Sequence, residues 1–342
     1  MNDYGISEQS FESLKSVLSE GLLESDLTKL KDLMLRLGRK MIDPEYRHQY
    51  AASLGDFSQN ISRKMIDYLE SGKKNSVSII RLLAKYYEIL NVEGAQSVRV
   101  LNEYSKNQKL TDGAVQNSLL AMAIGQSLAL SKEDIKLAGI VGLFSKLGIT
   151  LLDQSVVNQP NVLNVLEKVS LMRMPLQLAE LLNTLMGLNP KIPGISQQIY
   201  EFSDGSGYPR QLGEKNISPI ARIIKVVDCY ISLTSERPYR HAVNRHVALV
   251  FLLKLVRDGK IEPRSVDALL KIIGLYPKGV QVLLSDGNKA VTVQANSDVT
   301  RPIVQVESQS EYLNLMESDL TVSKFLLDKD KNEISTLQSI PG

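Results

Sequence analysis

The sequence predicts a mainly α-helical protein that ends in a small β-rich appendage. Three observations carry that reading. Apolar residues recur at helical spacing along most of the chain, as in Leu27, Leu30, Leu33, Met34, Leu37 and Met41. The apolar content is aliphatic: 43% of the 342 residues are hydrophobic, only 6% are aromatic, and none is tryptophan. After Gly274 the spacing changes from helical recurrence to alternation. A chain of this length holds two or three domains of about 100–200 residues each.

The first helix is expected over 27–41, with Ser25 and Asp26 placed to cap it and Pro44 after its end. A second is expected over 45–69, stopping at Ser71-Gly72. A third covers 76–90 and carries Val77, Ile80, Leu83, Ala84 and Tyr87; a fourth covers 94–106. Short polar turns join them, which suits an N-terminal helical bundle over residues 1–108. No catalytic motif occurs in it, and Lys73-Lys74 reads as a solvated turn.

Residues 109–274 are expected to form an all-helical core domain. Leu119, Leu120, Met122, Ala123, Leu128 and Leu130 mark its first helix. Ser131-Lys-Glu-Asp134 matches an N-cap with acidic residues in the first turn, so the next helix is expected over 135–147, ending at Gly148. Shorter helices are expected over 163–170 and 175–186. A long one follows over 219–235, with Ser218 as its side-chain cap and Pro219 at the first helical position. Helices over 245–257 and 264–274 close the domain.

Residues 275–342 change character. Val280-Gln-Val-Leu-Leu alternates, Ser285-Asp-Gly-Asn288 reads as a tight turn, and Ala290-Val-Thr-Val-Gln alternates again, a hairpin pattern. Pro302-Ile-Val-Gln-Val306 reads as a third strand. A short apolar run, Phe325-Leu-Leu327, and a turn-like Asp328-Lys-Asp-Lys-Asn332 follow.

Composition removes several function classes. A formal net charge of +2 gives no large footprint for a nucleic acid polymer. The single cysteine, Cys229, rules out an intrachain disulfide framework and reads as a small buried residue suited to a reducing compartment. Residues 1–10 lack the basic start and apolar core of a signal peptide. No stretch approaches the roughly 20 apolar residues of a membrane helix. The expectation is a cytoplasmic chain with no membrane partner.

The most informative stretch has three parts: Glu201-Phe-Ser-Asp-Gly-Ser-Gly-Tyr208-Pro209, Ala221-Arg-Ile-Ile-Lys-Val-Val-Asp228, and Leu233-Thr-Ser-Glu-Arg-Pro-Tyr-Arg240. It resembles the signature half of the HD-GYP family, metal-dependent phosphodiesterases that cut cyclic dinucleotides, chiefly cyclic di-GMP. The resemblance covers 111–274 and, more weakly, the β tail. It implies an HD-domain-like helical core with a two-metal centre.

Such a centre needs several histidines and carboxylates converging on two ions, which lower the pKa of a bridging water and stabilise charge on phosphate. The chain has three histidines in all, and none lies between His48 and His241. The resemblance places the metal-ligand positions at residues of other types. They are Gly113, then Gly142 and Leu143 for the eponymous pair, Met174 before Pro175, and Ile199 with Tyr200 before the Asp204-to-Pro209 run. Asp228 alone survives of the ligand set; Lys146 and Asp228 match catalytic positions of active relatives and read here as vestigial. Leucine, isoleucine and methionine would fill the vacated centre with apolar volume, worth about 1.5–3 kcal/mol per large side chain buried. His48, His241 and His246 each read as exposed structural histidines.

Two intact motifs remain. In Asp204-Gly205-Ser-Gly207-Tyr208-Pro209 the glycines allow unusual backbone angles and the proline stiffens the exit. The run is either a rigid folding element or a recognition loop; the resemblance implicates it in contacts with diguanylate cyclases. In Arg237-Pro-Tyr239-Arg240 the guanidinium groups suit phosphate and the tyrosine suits a base. The alternative is that they brace a helix end, with Glu201 or Asp228 as carboxylate partners. The combined expectation is a catalytically inactive HD-GYP-like signalling protein, needing no cofactor, that acts as adaptor or receptor in cyclic dinucleotide signalling. Its candidate partners are a GGDEF-type or other signalling protein, a cyclic dinucleotide, and a second copy of the chain. The competing expectation is an active cyclic di-GMP phosphodiesterase with a carboxylate-based metal site from Asp228, Glu201 and other carboxylates.

Overall fold

The computed structural model describes residues 83, 84, 86, 87, 90, 110–158, 164–185, 188–236, 240–307 and 312–326. The helices expected over 27–41, 45–69 and 94–106 lie outside the described residues. Of the helix expected over 76–90, Leu83, Ala84, Tyr86, Tyr87 and Leu90 are described, and all five are helical. Leu83, Tyr86, Tyr87 and Leu90 are buried. The chain divides into two units, residues 1–148 with 176–197 and residues 149–175 with 198–342.

In the first unit, α1 (Leu110–Ser127) and α2 (Lys132–Ser145) pack closely side by side. Ser131 caps α2 as expected: its side chain accepts from the Asp134 N–H (3.1 Å) and its hydroxyl donates to the Asp134 carboxylate (2.9 Å). The helix therefore begins at Lys132, ahead of the expected 135. It gives way after Ser145 to a 3-10 turn, Lys146–Leu151. Small residues allow the two helices to approach. Ser118 Oγ donates to the Gly139 carbonyl at 2.7 Å, and Asn117 Nδ2 donates to Ser145 Oγ at 3.2 Å. The short α5 (Lys191–Ser196) packs against α2.

After the turn come α3 (Gln154–Val157) and α4 (Val165–Asn183). Two helices were expected over 163–170 and 175–186; one continuous helix is present, with Pro175 inside it. Proline removes the N–H that would reach the Leu171 carbonyl, a loss that normally breaks a helix. Leu171, whose carbonyl loses that partner, is only half-buried. The start of α4 is set by a reciprocal cap: Glu167 N–H donates to Asn164 Oδ1 (3.0 Å) and Asn164 N–H donates to Glu167 Oε2 (2.7 Å).

The second unit is built on α6 (Pro219–Leu233), α7 (Arg245–Arg257) and α8 (Pro263–Ile273), which pack on one another. Pro219 sits in the first turn of α6 as expected. Ser218 does not cap it with its side chain; its backbone N–H instead donates to Gln198 Oε1 at 2.7 Å. That amide oxygen satisfies the N–H of the cap residue itself, not the first-turn N–H groups that a Ser218 hydroxyl was expected to serve. Ile220, Ile223, Ile224, Val226, Val227 and Ile231 of α6 are buried, each contributing about 1.5–3 kcal/mol.

The C-terminal part is a five-stranded antiparallel sheet in the order β4-β3-β2-β1-β5. The expected hairpin is β1 (Gln281–Leu284) with β2 (Lys289–Gln294), and the expected third strand is β3 (Ile303–Val306). Two more strands, β4 (Tyr312–Asn314) and β5 (Val322–Phe325), extend the sheet beyond the sequence reading. Both are short edge strands with little buried alternation, so the two-residue period that marks a half-buried strand is absent. Val280, Val282, Leu284, Ala290, Val304, Val306 and Leu315 form the core on one face.

His246, expected to be exposed, is buried at the junction of α7 and this sheet. Its ring stacks on Tyr276 (5.0 Å, 7°) and lies 4.4 Å from the Phe325 ring, and its Nδ1 lies 2.8 Å from the Leu275 carbonyl. His241 is exposed, with Nδ1 3.3 Å from Glu236 Oε2. Among the described residues no helix is long and apolar enough to cross a membrane.

Candidate functional site

The residues singled out in the sequence fall on both units, and each group has its own setting. In the first unit Gly113 is buried in α1. Gly142 and Leu143 are buried in α2, and Lys146, also buried, opens the 3-10 turn. Gly142 lies directly against α1. A Cβ there would lie 2.9 Å from the Asn117 carbonyl oxygen and 3.0 Å from both the Asn117 carbonyl carbon and Ser118 Cα. All three are backbone atoms of α1, which cannot swing aside as a side-chain end can. A side chain at this position requires the α1 backbone to shift.

The remaining positions lie in the second unit. Met174 and Ile199 are fully buried, and Asp228 is buried in α6. Of the six positions that the resemblance marks, Gly113, Gly142, Leu143, Met174 and Ile199 offer no hard oxygen or nitrogen donor from a side chain; Tyr200 alone carries one. Among the described residues no group of three His, Cys, Asp or Glu side chains is placed to hold a metal ion. Among the described residues, the side chains at these positions do not supply the ligands of the family's two-metal pattern.

Tyr200 has a definite partner. Its ring stacks on the ring of Tyr208, centroids 5.4 Å apart and planes 7° from parallel. The Tyr208 N–H donates to the Tyr200 carbonyl at 3.3 Å. Burial pushes the Tyr208 phenol well above its ordinary range, and the nearby charges of Asp228 and Cys229 add to the shift. Tyr200, Tyr208 and Asp228 are therefore brought together.

The loop carrying Tyr208 is held at several points. Asp204 Oδ1 accepts from the N–H and hydroxyl of Ser206 (2.9 and 2.7 Å), which lowers the Asp204 pKa. Gly205 has φ of +79°, and Asp204 bridges to Gly213. At Gly207 a Cβ would overlap the backbone of Glu201 and Phe202, so no larger residue fits. The Tyr208-Pro209 peptide is cis. Glu201, considered from sequence as a partner for Arg237 or Arg240, is buried and faces the loop instead. Its Oε1 accepts from Arg210 N–H (2.7 Å) and its Oε2 from Leu212 N–H (3.0 Å).

Arg240 sits at the C-terminal end of α6. Its guanidinium donates to the carbonyls of Leu233 (2.9 Å), His241 (3.0 Å) and Ser232. The carbonyls of Ser232 and Leu233 belong to the last turn of α6, so Arg240 braces the helix end. Arg237 and Tyr239 lie outside the described residues.

Sequence reasoning missed two lysines. Lys225, buried on α6, places Nζ 3.8 Å from the centroid of Phe202 and 5.8 Å from that of Tyr200. Lys260 Nζ lies 5.0 Å from the Phe202 centroid, and its carbonyl accepts from the Ser203 N–H at 2.8 Å. The only local signal was Lys225 standing three residues before Asp228 within an apolar helix.

The class defined by this fold is confirmed by comparison. The HD domain family matches residues 78–264, and the chain belongs to that family. It is 29% identical over 175 residues to a cyclic di-GMP phosphodiesterase of Pseudomonas aeruginosa, covering 51% of this chain and 42% of that one. It is 30% identical over 205 residues to the cyclic di-GMP phosphodiesterase response regulator RpfG of Xanthomonas campestris pv. campestris, covering 59% and 54%. It is 24% identical over 254 residues to 3′3′-cGAMP-specific phosphodiesterase 1 of Vibrio cholerae, covering 74% and 54%. The chain spans about half the length of these curated relatives. An HDG"Y"P protein from Bdellovibrio bacteriovorus has the same fold, with a TM-score of 0.55 over 72% of this chain and 80% of that one at 16% identity.

Proposed function

We propose that this chain is a non-hydrolysing member of the HD-GYP branch that acts as an adaptor or receptor in cyclic dinucleotide signalling. The observation that carries the proposal is the closure of Gly142 on the backbone of Asn117. It supports the reading because any side chain at that position, a histidine included, would need the α1 backbone to shift. The names of the relatives support a cyclic dinucleotide as the ligand class, since they are phosphodiesterases of cyclic di-GMP or of 3′3′-cGAMP. The Asp204–Pro209 loop is the proposed recognition element: it is intact, held by Glu201, and its tyrosine is set by a stack on Tyr200. Residues 1–108 would then be a separate helical module joined to the signalling core, and residues 275–342 an appendage.

Calorimetric titration of purified protein with cyclic di-GMP, 3′3′-cGAMP and pGpG tests the ligand. A hydrolysis assay on the cyclic dinucleotides, with elemental analysis of iron- and manganese-supplemented protein, tests the chemistry. Binding without turnover supports a receptor. No binding, with a partner complex weakened by Tyr208→Ala, supports an adaptor. Stoichiometric metal with turnover lost in Asp228→Ala overturns the proposal in favour of a carboxylate-based enzyme.

A further inference from the structure

The first ten residues of α4 carry an apolar seam that nothing in the described structure covers. Val165 is 76% exposed, Leu166 78%, Val169 42% and Met172 44%. Monomeric proteins expose single apolar residues commonly, but rarely a contiguous row of them. Val165, Val169 and Met172 are spaced four and three apart, the 3.5-residue repeat of a helix-pairing seam. At about 100° per residue they fall within a narrow sector of the helix, and Leu166 lies just outside it. The buried Met174 falls on the opposite side.

Charge decides what fits the seam. Lys168 borders it on one side and the exposed Arg173 on the other. Glu167 lies on the far side of the helix, about 200° round from Val165, where its carboxylate accepts the Asn164 N–H at the helix start. Both flanks are therefore basic. A second copy of this helix would bring lysine or arginine against lysine or arginine whether the pair ran parallel or antiparallel, and like charges across such a seam disfavour pairing. We infer that the Val165–Val169–Met172 face of α4 docks an amphipathic helix of a partner protein whose apolar stripe is flanked by acidic residues. The same cap that turns Glu167 away lets the helix start in solvent, so the surface stands ready without rearrangement. This inference does not depend on whether the core hydrolyses or binds a nucleotide.

Two labelled synthetic helices test it against the full chain by fluorescence anisotropy. Both have leucine at the seam positions; one has glutamate at the flanking positions and the other lysine. The acidic peptide is expected to bind at least tenfold more tightly, with affinity falling as salt rises toward about 1 M, where screening shortens to about 3 Å. Val169→Glu and Met172→Glu are expected to abolish binding with an unchanged melting temperature, since both side chains are exposed. Lys168→Glu with Arg173→Glu is expected to reverse the preference. Equal binding of both peptides, or of neither, overturns the inference. Self-association of the chain that disappears in Val169→Glu would assign the face to a second copy instead. Binding to anionic phospholipid vesicles that disappears in the same variant would assign it to a membrane.

Discussion

The Asn117 carbonyl oxygen stands 2.9 Å from the point where a Cβ on Gly142 would be. By its resemblance to the HD-GYP pattern, Gly142 stands where the first residue of the eponymous pair would be. In this fold it is a contact point between two helices. Gly142→Ala is expected to destabilise the first unit by about 1–3 kcal/mol through overpacking. Gly142→His with Leu143→Asp is expected to lower stability further and to recruit no metal. Thermal melts with elemental analysis check both; a histidine variant that melts like the parent and retains iron or manganese would contradict the packing argument.

The stack of Tyr200 on Tyr208 supports the loop through a residue that the family pattern would use as a ligand. Tyr200→Ala is expected to cost about 0.5–1.5 kcal/mol beyond the area lost, the worth of a well-placed aromatic pair. In an ultraviolet pH titration the folded chain is expected to show tyrosines that resist ionisation well above pH 10. That class should shrink by one in Tyr208→Phe. An unchanged titration in Tyr208→Phe would show that burial and Asp228 do not act on this phenol as described.

Glu201 satisfies two backbone N–H groups at the exit of the loop. Glu201→Ala would leave both without their acceptor, at about 1–3 kcal/mol for each N–H that stays buried. Glu201→Gln keeps one carbonyl acceptor and is expected to cost less. Hydrogen exchange at Arg210 and Leu212 reads the effect directly, with faster exchange in the alanine variant. Equal protection in both variants would mean that the loop holds itself.

His246 gives the fold a defined pH response. Burial lowers its pKa below the ordinary histidine value of about 6.5, with the Leu275 hydrogen bond opposing the shift. Near that pH the unfolded chain binds a proton that the folded chain does not, so stability rises with pH across the window. Its contribution is complete above the unfolded value and is lost as pH falls through the folded one. Denaturant melts across pH 5 to 7.5 are expected to show this slope, and His246→Phe should flatten it. A slope of the same size in His246→Phe would assign the effect to other groups.

Much of the architecture was legible in short stretches of sequence. Ser131 announced the start of α2, Pro219 the start of α6, and Ser285-Asp-Gly-Asn288 the turn between β1 and β2. Each depends on bonds within a few residues. Pro175 misled, because an interior proline can be carried within a helix without ending it. Ser218 misled because its hydroxyl makes no cap bond, while its backbone N–H is taken by Gln198, twenty residues away. The short edge strands β4 and β5 were not visible because their side chains do not alternate in burial.

The order of helices, the intact Asp204–Pro209 loop and the lack of histidines between His48 and His241 follow from the residues alone, since each is a matter of local pattern or of atoms present or missing. Only the folded chain decided that Gly142 is pressed against Asn117, that Tyr200 carries Tyr208, that Glu201 ties the loop and that Arg240 holds the end of α6. Those relations join residues from seven to twenty-five positions apart in sequence. Their distances are set by how helices and loops pack, which no short-range periodicity encodes.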